Sequence, residues 1–88
     1  EVLVYRSPSR AASLAQNVLQ GVVDASGFPN RGVKQRPGLY VLRNTNMPAI
    51  LVELGFISNP QEASLMANNP SLFARGIYNG ILNYLNLS

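Results

Sequence analysis

The amino-acid sequence predicts an α/β fold, namely part of a three-layer α/β/α domain with a mostly parallel or mixed sheet and helices on both faces. Two observations predict it. Apolar side chains recur every three or four residues in two long segments, which is typical of amphipathic helices. Short β-prone runs separate these segments, and the run from Ala49 to Leu54 is apolar on both faces, as in an inner strand of such a sheet.

The composition limits the chemistry that this chain can perform. The 88 residues are 47% hydrophobic and contain neither cysteine nor histidine, so carboxylates are the only metal-binding side chains left. The net charge of +3 comes from scattered basic residues, which makes nucleic-acid binding the weakest of the interpretations. No apolar run approaches the ~20 residues of a membrane span. Because the chain opens at Glu1 directly in a β-prone run, we expect a piece of a longer protein, with any targeting signal upstream.

The first elements are a strand and a long helix. Val2 to Tyr5 form the β-prone run, and Ser7-Pro8 then offers a helix cap followed by proline at the first helical position. Gly27 is suited to end the helix after Ser26 in the left-handed conformation. The helix between them carries one apolar stripe, formed by Ala11, Leu14, Ala15, Val18 and Val22.

The middle of the chain predicts a loop and two strands. Residues 28 to 38 are polar and rich in proline and glycine, which indicates a loop. Leu39 to Leu42 form a second β-prone run. After Met47-Pro48, Ala49 to Phe56 are nearly all apolar and predict the buried inner strand.

Two helices complete the chain. Asn59 is a cap with Glu62 at the third helical position, and this helix is expected to run to about Ala67. Pro70 opens the last helix, which is expected to reach about Leu87, and its glycines predict tight packing onto the sheet. The glycines are Gly76 and Gly80, and the apolar face comprises Phe73, Ile77, Ile81, Tyr84 and Leu85.

Glu53 is the one residue whose position points to chemistry. Along a strand it shares a face with Ala49, Leu51 and Gly55, and a carboxylate there is costly unless it is paired, binds a metal or lies near the strand's end. Open α/β sheets place their ligand crevices at such carboxyl ends. Two interpretations remain open on spacing alone: a catalytic carboxylate, or a structural ion pair with Arg31 or Arg43.

The chain as a whole resembles a known enzyme family. The resemblance lies, in order and spacing, in the strand Val2 to Arg6, the segments Asn30 to Lys34, Leu39 to Pro48 and Ala49 to Asn59, and the final helix with Gly76, Ile77 and Gly80. These segments are similar to the zinc-dependent N-acetylmuramoyl-L-alanine amidases, which cleave the bond between N-acetylmuramic acid and the L-alanine of the peptidoglycan stem peptide. The similarity covers the C-terminal half of that catalytic domain, so the N-terminal half is absent from this chain.

The resemblance implies a mechanism and a cofactor. In that family two histidines and a glutamate, all upstream of the region in this chain, hold a zinc ion that polarises a water and the scissile carbonyl. The glutamate that matches Glu53 is the general base towards water and then the acid towards the leaving amine. The resemblance therefore implies that Glu53 is catalytic, that these 88 residues alone are inactive and bind no zinc, and that the parent works outside the cytoplasm on peptidoglycan.

Three further residues are candidates for substrate binding. Arg31 lies in an Asn-Arg-Gly loop, where binding residues are common, whereas an ion pair is the preferred interpretation for Arg43. Asn30 either contacts substrate or shapes the turn. A competing function is a metal-free wall-binding or regulatory module, but such modules usually present exposed aromatic platforms, and this chain has no tryptophan.

Overall fold

Short strands alternate with helices in the structure, a computed structural model that describes residues 1–44, 47–55 and 58–87. The described elements are, in chain order, β1 (Val2–Val4), α1 (Arg10–Ser26), β2 (Val33–Gln35), α2 (Tyr40–Arg43), β3 (Leu51–Val52), α3 (Pro60–Asn68) and α4 (Pro70–Tyr84). The predicted α/β fold is confirmed.

The first strand is the centre of the sheet. β1 pairs in parallel with β2, Val2 opposite Val33, and antiparallel with β3, Val2 opposite Val52. Its three residues are apolar and all buried, so both of its faces are covered. Val2 and Val4 pack on Ala15 and Leu19 of α1, while Leu3 alternates to the opposite face.

The run from Ala49 was predicted to be the inner strand, and this assignment is wrong for the described sheet. β3 is two residues long and lies at an edge of the sheet, and Leu51 is 39% exposed. The other face of this segment behaves as expected, since Ile50 and Val52 pack into the core. The end of the predicted strand, at Phe56, falls outside the described residues.

Two assignments in the middle of the chain are also wrong. The expected loop from 28 to 38 contains β2, because the hydrogen bonds of β1 organise three residues that show no alternation of their own. The expected strand from Leu39 to Leu42 is α2 instead. Of its residues Leu42 is buried, whereas Tyr40 and Val41 are exposed. β-propensity depends on a neighbouring strand, and tertiary context overrides it here.

Polar caps fix the ends of the helices. α1 begins after Ser9 rather than Ser7, because the Ser9 hydroxyl accepts the N–H of Ala12 at 3.0 Å. The predicted end at Gly27 is confirmed, with φ at 74°. Asn59 caps α3 as predicted, since its side-chain oxygen accepts the N–H groups of Gln61 and Glu62.

The last helix packs in a different way from the prediction. α4 ends at Tyr84, and Ile81 and Leu85 are 39% and 52% exposed instead of facing the core. Phe73 is buried as expected and packs against Phe28, with ring centroids 5.3 Å apart. The helix lies mainly against α1, so the tight packing predicted for its glycines is onto a helix rather than the sheet.

Three glycines form the contact between α1 and α4. A Cβ placed on Gly80 would lie 2.5 Å from Cα of Val18, and one on Gly76 would lie 2.8 Å from the carbonyl oxygen of Gly21. A Cβ on Gly21 would in turn meet the backbone of Gly76. The two backbones therefore approach to a distance that leaves no room for any side chain. This contact holds α4 over the core that α1 shares with the sheet.

We expect Gly80→Ala to destabilise the domain by about 1–3 kcal/mol, because the added methyl group meets backbone atoms that cannot rotate away. Helix propensity alone predicts the opposite sign, since alanine is favoured over glycine by roughly 1 kcal/mol within a helix. Urea unfolding of the complete domain measures the difference. Gly38→Ala is the control, because a Cβ at Gly38 meets nothing within 4 Å. A Gly80→Ala variant as stable as the parent would contradict the close contact.

Candidate active site

The backbone of Glu53 is fixed where β3 ends. Its N–H donates to the carbonyl oxygen of Glu1 at 3.0 Å, and its own carbonyl accepts from the nitrogen of Glu1 at 3.1 Å. These bonds extend the antiparallel pairing of β1 and β3 by one residue pair. Because Val52 faces the core, alternation turns the Glu53 side chain to the opposite face of the sheet, the face of Leu3 and Leu51.

Glu53 is a half-buried residue, and its carboxylate lacks a hydrogen-bond partner among residues 1–44, 47–55 and 58–87. The structural ion pair with Arg31 or Arg43, which the sequence left open, is not formed between these described side chains. Of the two interpretations that the sequence leaves open, the structural ion pair therefore has no support among the described residues.

Glu1 is a neighbour of this site that the sequence analysis missed. In an antiparallel sheet, directly opposite residues project from the same face, so the side chains of Glu1 and Glu53 leave the sheet side by side. The spacing of 52 residues between them carries no signal of this proximity. The antiparallel register, which places Leu3 opposite Leu51, brings the two together.

Arg31 forms a two-pronged ion pair with Glu62. Its Nη1 donates to Oε1 at 3.2 Å and its Nη2 donates to Oε2 at 2.6 Å. The Glu62 residue is 5% exposed, which makes it the buried charged residue of the described core. It lies in the first turn of α3, where Asn59 Nδ2 also donates to Oε2 at 3.4 Å. The sequence identified Glu62 as a capping residue and did not predict this pairing.

The remaining candidate residues are Asn30 and Arg43. Asn30 shapes its turn, because its side-chain oxygen accepts the N–H of Gly32 at 2.9 Å, and Gly32 has a φ of 85° that favours glycine. Arg43 is the exposed last residue of α2. Contact of Asn30, Arg31 or Arg43 with a substrate stays a prediction.

The described part of the chain contains no group of three or more His, Cys, Asp or Glu residues that could hold a metal ion. Glu53 and Glu1 together supply two carboxylates, which is fewer than the ligands of a protein zinc site. These residues do not fit a zinc centre of their own.

The sequence matches a family model described as N-acetylmuramoyl-L-alanine amidase over residues 1–83. A germination-specific N-acetylmuramoyl-L-alanine amidase of Bacillus subtilis is 41% identical over 82 residues, which span 91% of this chain and 33% of the relative. A Staphylococcus epidermidis protein named "probable cell wall amidase LytH" is 34% identical over 85 residues, spanning 94% of this chain and 29% of the relative. The chain thus spans about a third of the length of these relatives.

The fold is also similar to a solved structure. The CwlD amidase from Clostridioides difficile, determined in complex with the GerS lipoprotein, superposes with a TM-score of 0.90 at 27% sequence identity. The similarity covers 100% of this chain and 46% of the CwlD chain. Sequence and structure thus agree over residues 1–83, and the chain belongs to the N-acetylmuramoyl-L-alanine amidase family.

Proposed function

We propose that these residues form the C-terminal half of a peptidoglycan amidase catalytic domain. The reaction is hydrolysis of the amide bond between N-acetylmuramic acid and the L-alanine of the stem peptide. The family match over residues 1–83 supports the reaction class, and the likeness to 46% of the CwlD chain supports a half domain. The observation that carries the proposal is Glu53, a half-buried residue at the end of β3 whose carboxylate has no hydrogen-bond partner among the described residues.

Glu53 acts as the general base and then as the general acid. Its carboxylate accepts a proton from the attacking water, and the carboxylic acid so formed delivers that proton to the nitrogen of the leaving amine. Amide cleavage needs this delivery because an unprotonated amine anion is a very poor leaving group. Two backbone bonds to Glu1 hold the backbone of the residue in place, so the point from which its side chain projects is fixed before substrate arrives.

In this proposal the zinc ion is bound by the complete domain and not by these 88 residues alone. The described residues form no group that could hold the ion, and we propose that its ligands lie elsewhere in the complete domain. Zinc bound there supplies Lewis-acid activation of water and of the scissile carbonyl. The part assigned to this chain is proton transfer at Glu53, together with the sheet that positions it.

The substrate class also sets the expected location and partners. Peptidoglycan lies outside the cytoplasmic membrane, so we propose an extracytoplasmic enzyme of the cell wall, periplasm or medium, with peptidoglycan rather than nucleic acid as its partner. Among the described residues, the helices are too short or too polar to cross a membrane. Asn30, Arg31 and Arg43 are proposed at the margin of the stem-peptide site. Of the two arginines, Arg43 is exposed whereas Arg31 is paired with Glu62, so the guanidinium of Arg43 is the more open to a peptide carboxylate.

Replacing Glu53 with glutamine in the complete enzyme should lower amidase turnover by roughly 10²–10⁴-fold, the usual cost of losing a general acid–base group. Glutamine keeps the size of the side chain and cannot exchange the proton, so we expect unchanged zinc content and an intact fold. Turnover on purified peptidoglycan, metal analysis and circular dichroism measure the three properties. Asp24→Asn is the control, since Asp24 is an exposed carboxylate bonded to Gln20 on α1. Near-normal turnover of the glutamine variant would make Glu53 structural, and stoichiometric loss of zinc would make it a ligand.

The 88 residues prepared alone should bind zinc no more tightly than surface carboxylates do, and should not digest cell walls. The chain has no histidine or cysteine, and its described carboxylates form no ligand group. Isothermal titration with zinc should therefore show no tight one-to-one transition. A tight stoichiometric transition would place a metal centre within this chain and contradict the proposed division of the site.

A further inference from the structure

The ion pair between Arg31 and Glu62 has the geometry of a rigid clamp. Two N–H groups of one guanidinium meet the two oxygens of one carboxylate, at 3.2 and 2.6 Å, and this arrangement fixes both distance and plane. The side chains of Arg31 and Glu62 are 26% and 6% exposed. Arg31 supplies the charged partner that a buried carboxylate needs, and Asn59 donates a further hydrogen bond to the same carboxylate.

The clamp lies directly against the segment that follows β3. A Cβ on Gly55 would lie 2.9 Å from Oε1 of Glu62, 2.9 Å from Cε2 of Phe28 and 3.2 Å from Sδ of Met66. The Glu62 carboxylate and the Phe28 ring therefore occupy the space that a side chain at position 55 would need. Arg31 precedes β2, Glu62 lies in the first turn of α3, and Gly55 follows β3. The pair therefore brings three separate segments together at this end of the sheet.

Glu53 is two residues from this contact. On one side its backbone is bonded to Glu1, and on the other side Gly55 is packed against Glu62. The short stretch from 53 to 55 is thus held at both ends. Two peptide units connect the contact at Gly55 to Glu53, and no ion pair joins the described side chains of Glu53 and Arg31.

We propose that Arg31 and Glu62 are positioning residues for Glu53, a role that rests on the proposed catalytic function of that carboxylate. The pair holds the backbone at Gly55 and thereby sets where the Glu53 carboxylate lies. This role differs from substrate binding by Arg31. Both terminal nitrogens of Arg31 already bond to Glu62, and gripping a peptide carboxylate with the same two nitrogens would require breaking two bonds to a buried carboxylate.

The test uses the complete zinc-loaded enzyme and a soluble muramoyl-peptide substrate. The variants are Arg31→Lys, Glu62→Gln and the double change, with Glu62→Asp as a second route that keeps the charge and shortens the side chain. Arg75→Lys, an exposed position on α4, is the matched control for the lysine change. kcat and KM are measured per folded, zinc-containing molecule, with the folded fraction taken from urea unfolding.

We expect kcat to fall by about tenfold to a hundredfold in each variant of the pair, with KM changed less than twofold, because a misplacement on the order of 1 Å has this effect on rate. The double variant should lose no more than the worse single one, because the two residues act as a unit. Arg75→Lys should match the parent.

Two results would overturn the proposal. A raised KM in Arg31→Lys, with Glu62→Gln unaffected, would show that Arg31 binds substrate. An unchanged kcat per folded molecule in every variant, with lower stability, would show that the pair only holds the fold. The Glu53→Gln enzyme distinguishes a failure of the positioning role from a failure of the proposed function. If it is inactive while the pair variants keep full kcat, the positioning role fails and the catalytic role of Glu53 stands. If it stays active, the proposed function itself fails.

Discussion

Hydrogen bonds on both sides of β1 determine where β2, β3 and the residues at their ends lie. Val2, Leu3 and Val4 pair with β2 along one edge and with β3 along the other, and all three side chains are buried. A short strand is stable in this position because neither its faces nor its edges are left to water. The antiparallel partner then brings its carboxyl end to the start of β1, which is where Glu53 and the buried clamp are found.

The site is built from contacts that are distant in sequence. Glu53 lies opposite Glu1 across 52 residues, and Glu62 bonds to Arg31 across 31. The first contact extends the backbone pairing of β1 and β3 by one residue pair, whereas the second joins two charged side chains close to the starts of β2 and α3. The contact between α1 and α4 is also distant in sequence, since Gly80 lets the two backbones touch and so brings Phe73 of α4 into the core with Val18 and Val22.

The sequence predicted the elements that carry a strong local signal and failed where tertiary contacts decide. The stripe of α1, its glycine end at Gly27 and the cap at Asn59 were all predictable from residue type and spacing. β2 was missed because its strand character comes from pairing with β1. The segment from Tyr40 was assigned the wrong type because β-prone residues without a strand partner adopt another structure.

For the candidate site, alternation along β3 and the nearby strand end singled out Glu53, whereas its neighbour Glu1 and the partner of Arg31 required the fold. A crystal structure of the complete domain with an uncleaved muramoyl-peptide analogue tests the central claim most directly. We predict that a Glu53 carboxylate oxygen lies within about 2.6–3.2 Å of the scissile amide nitrogen, or reaches it through one water. A Glu53 side chain turned away from the bound amide, with no such water between them, would contradict the account.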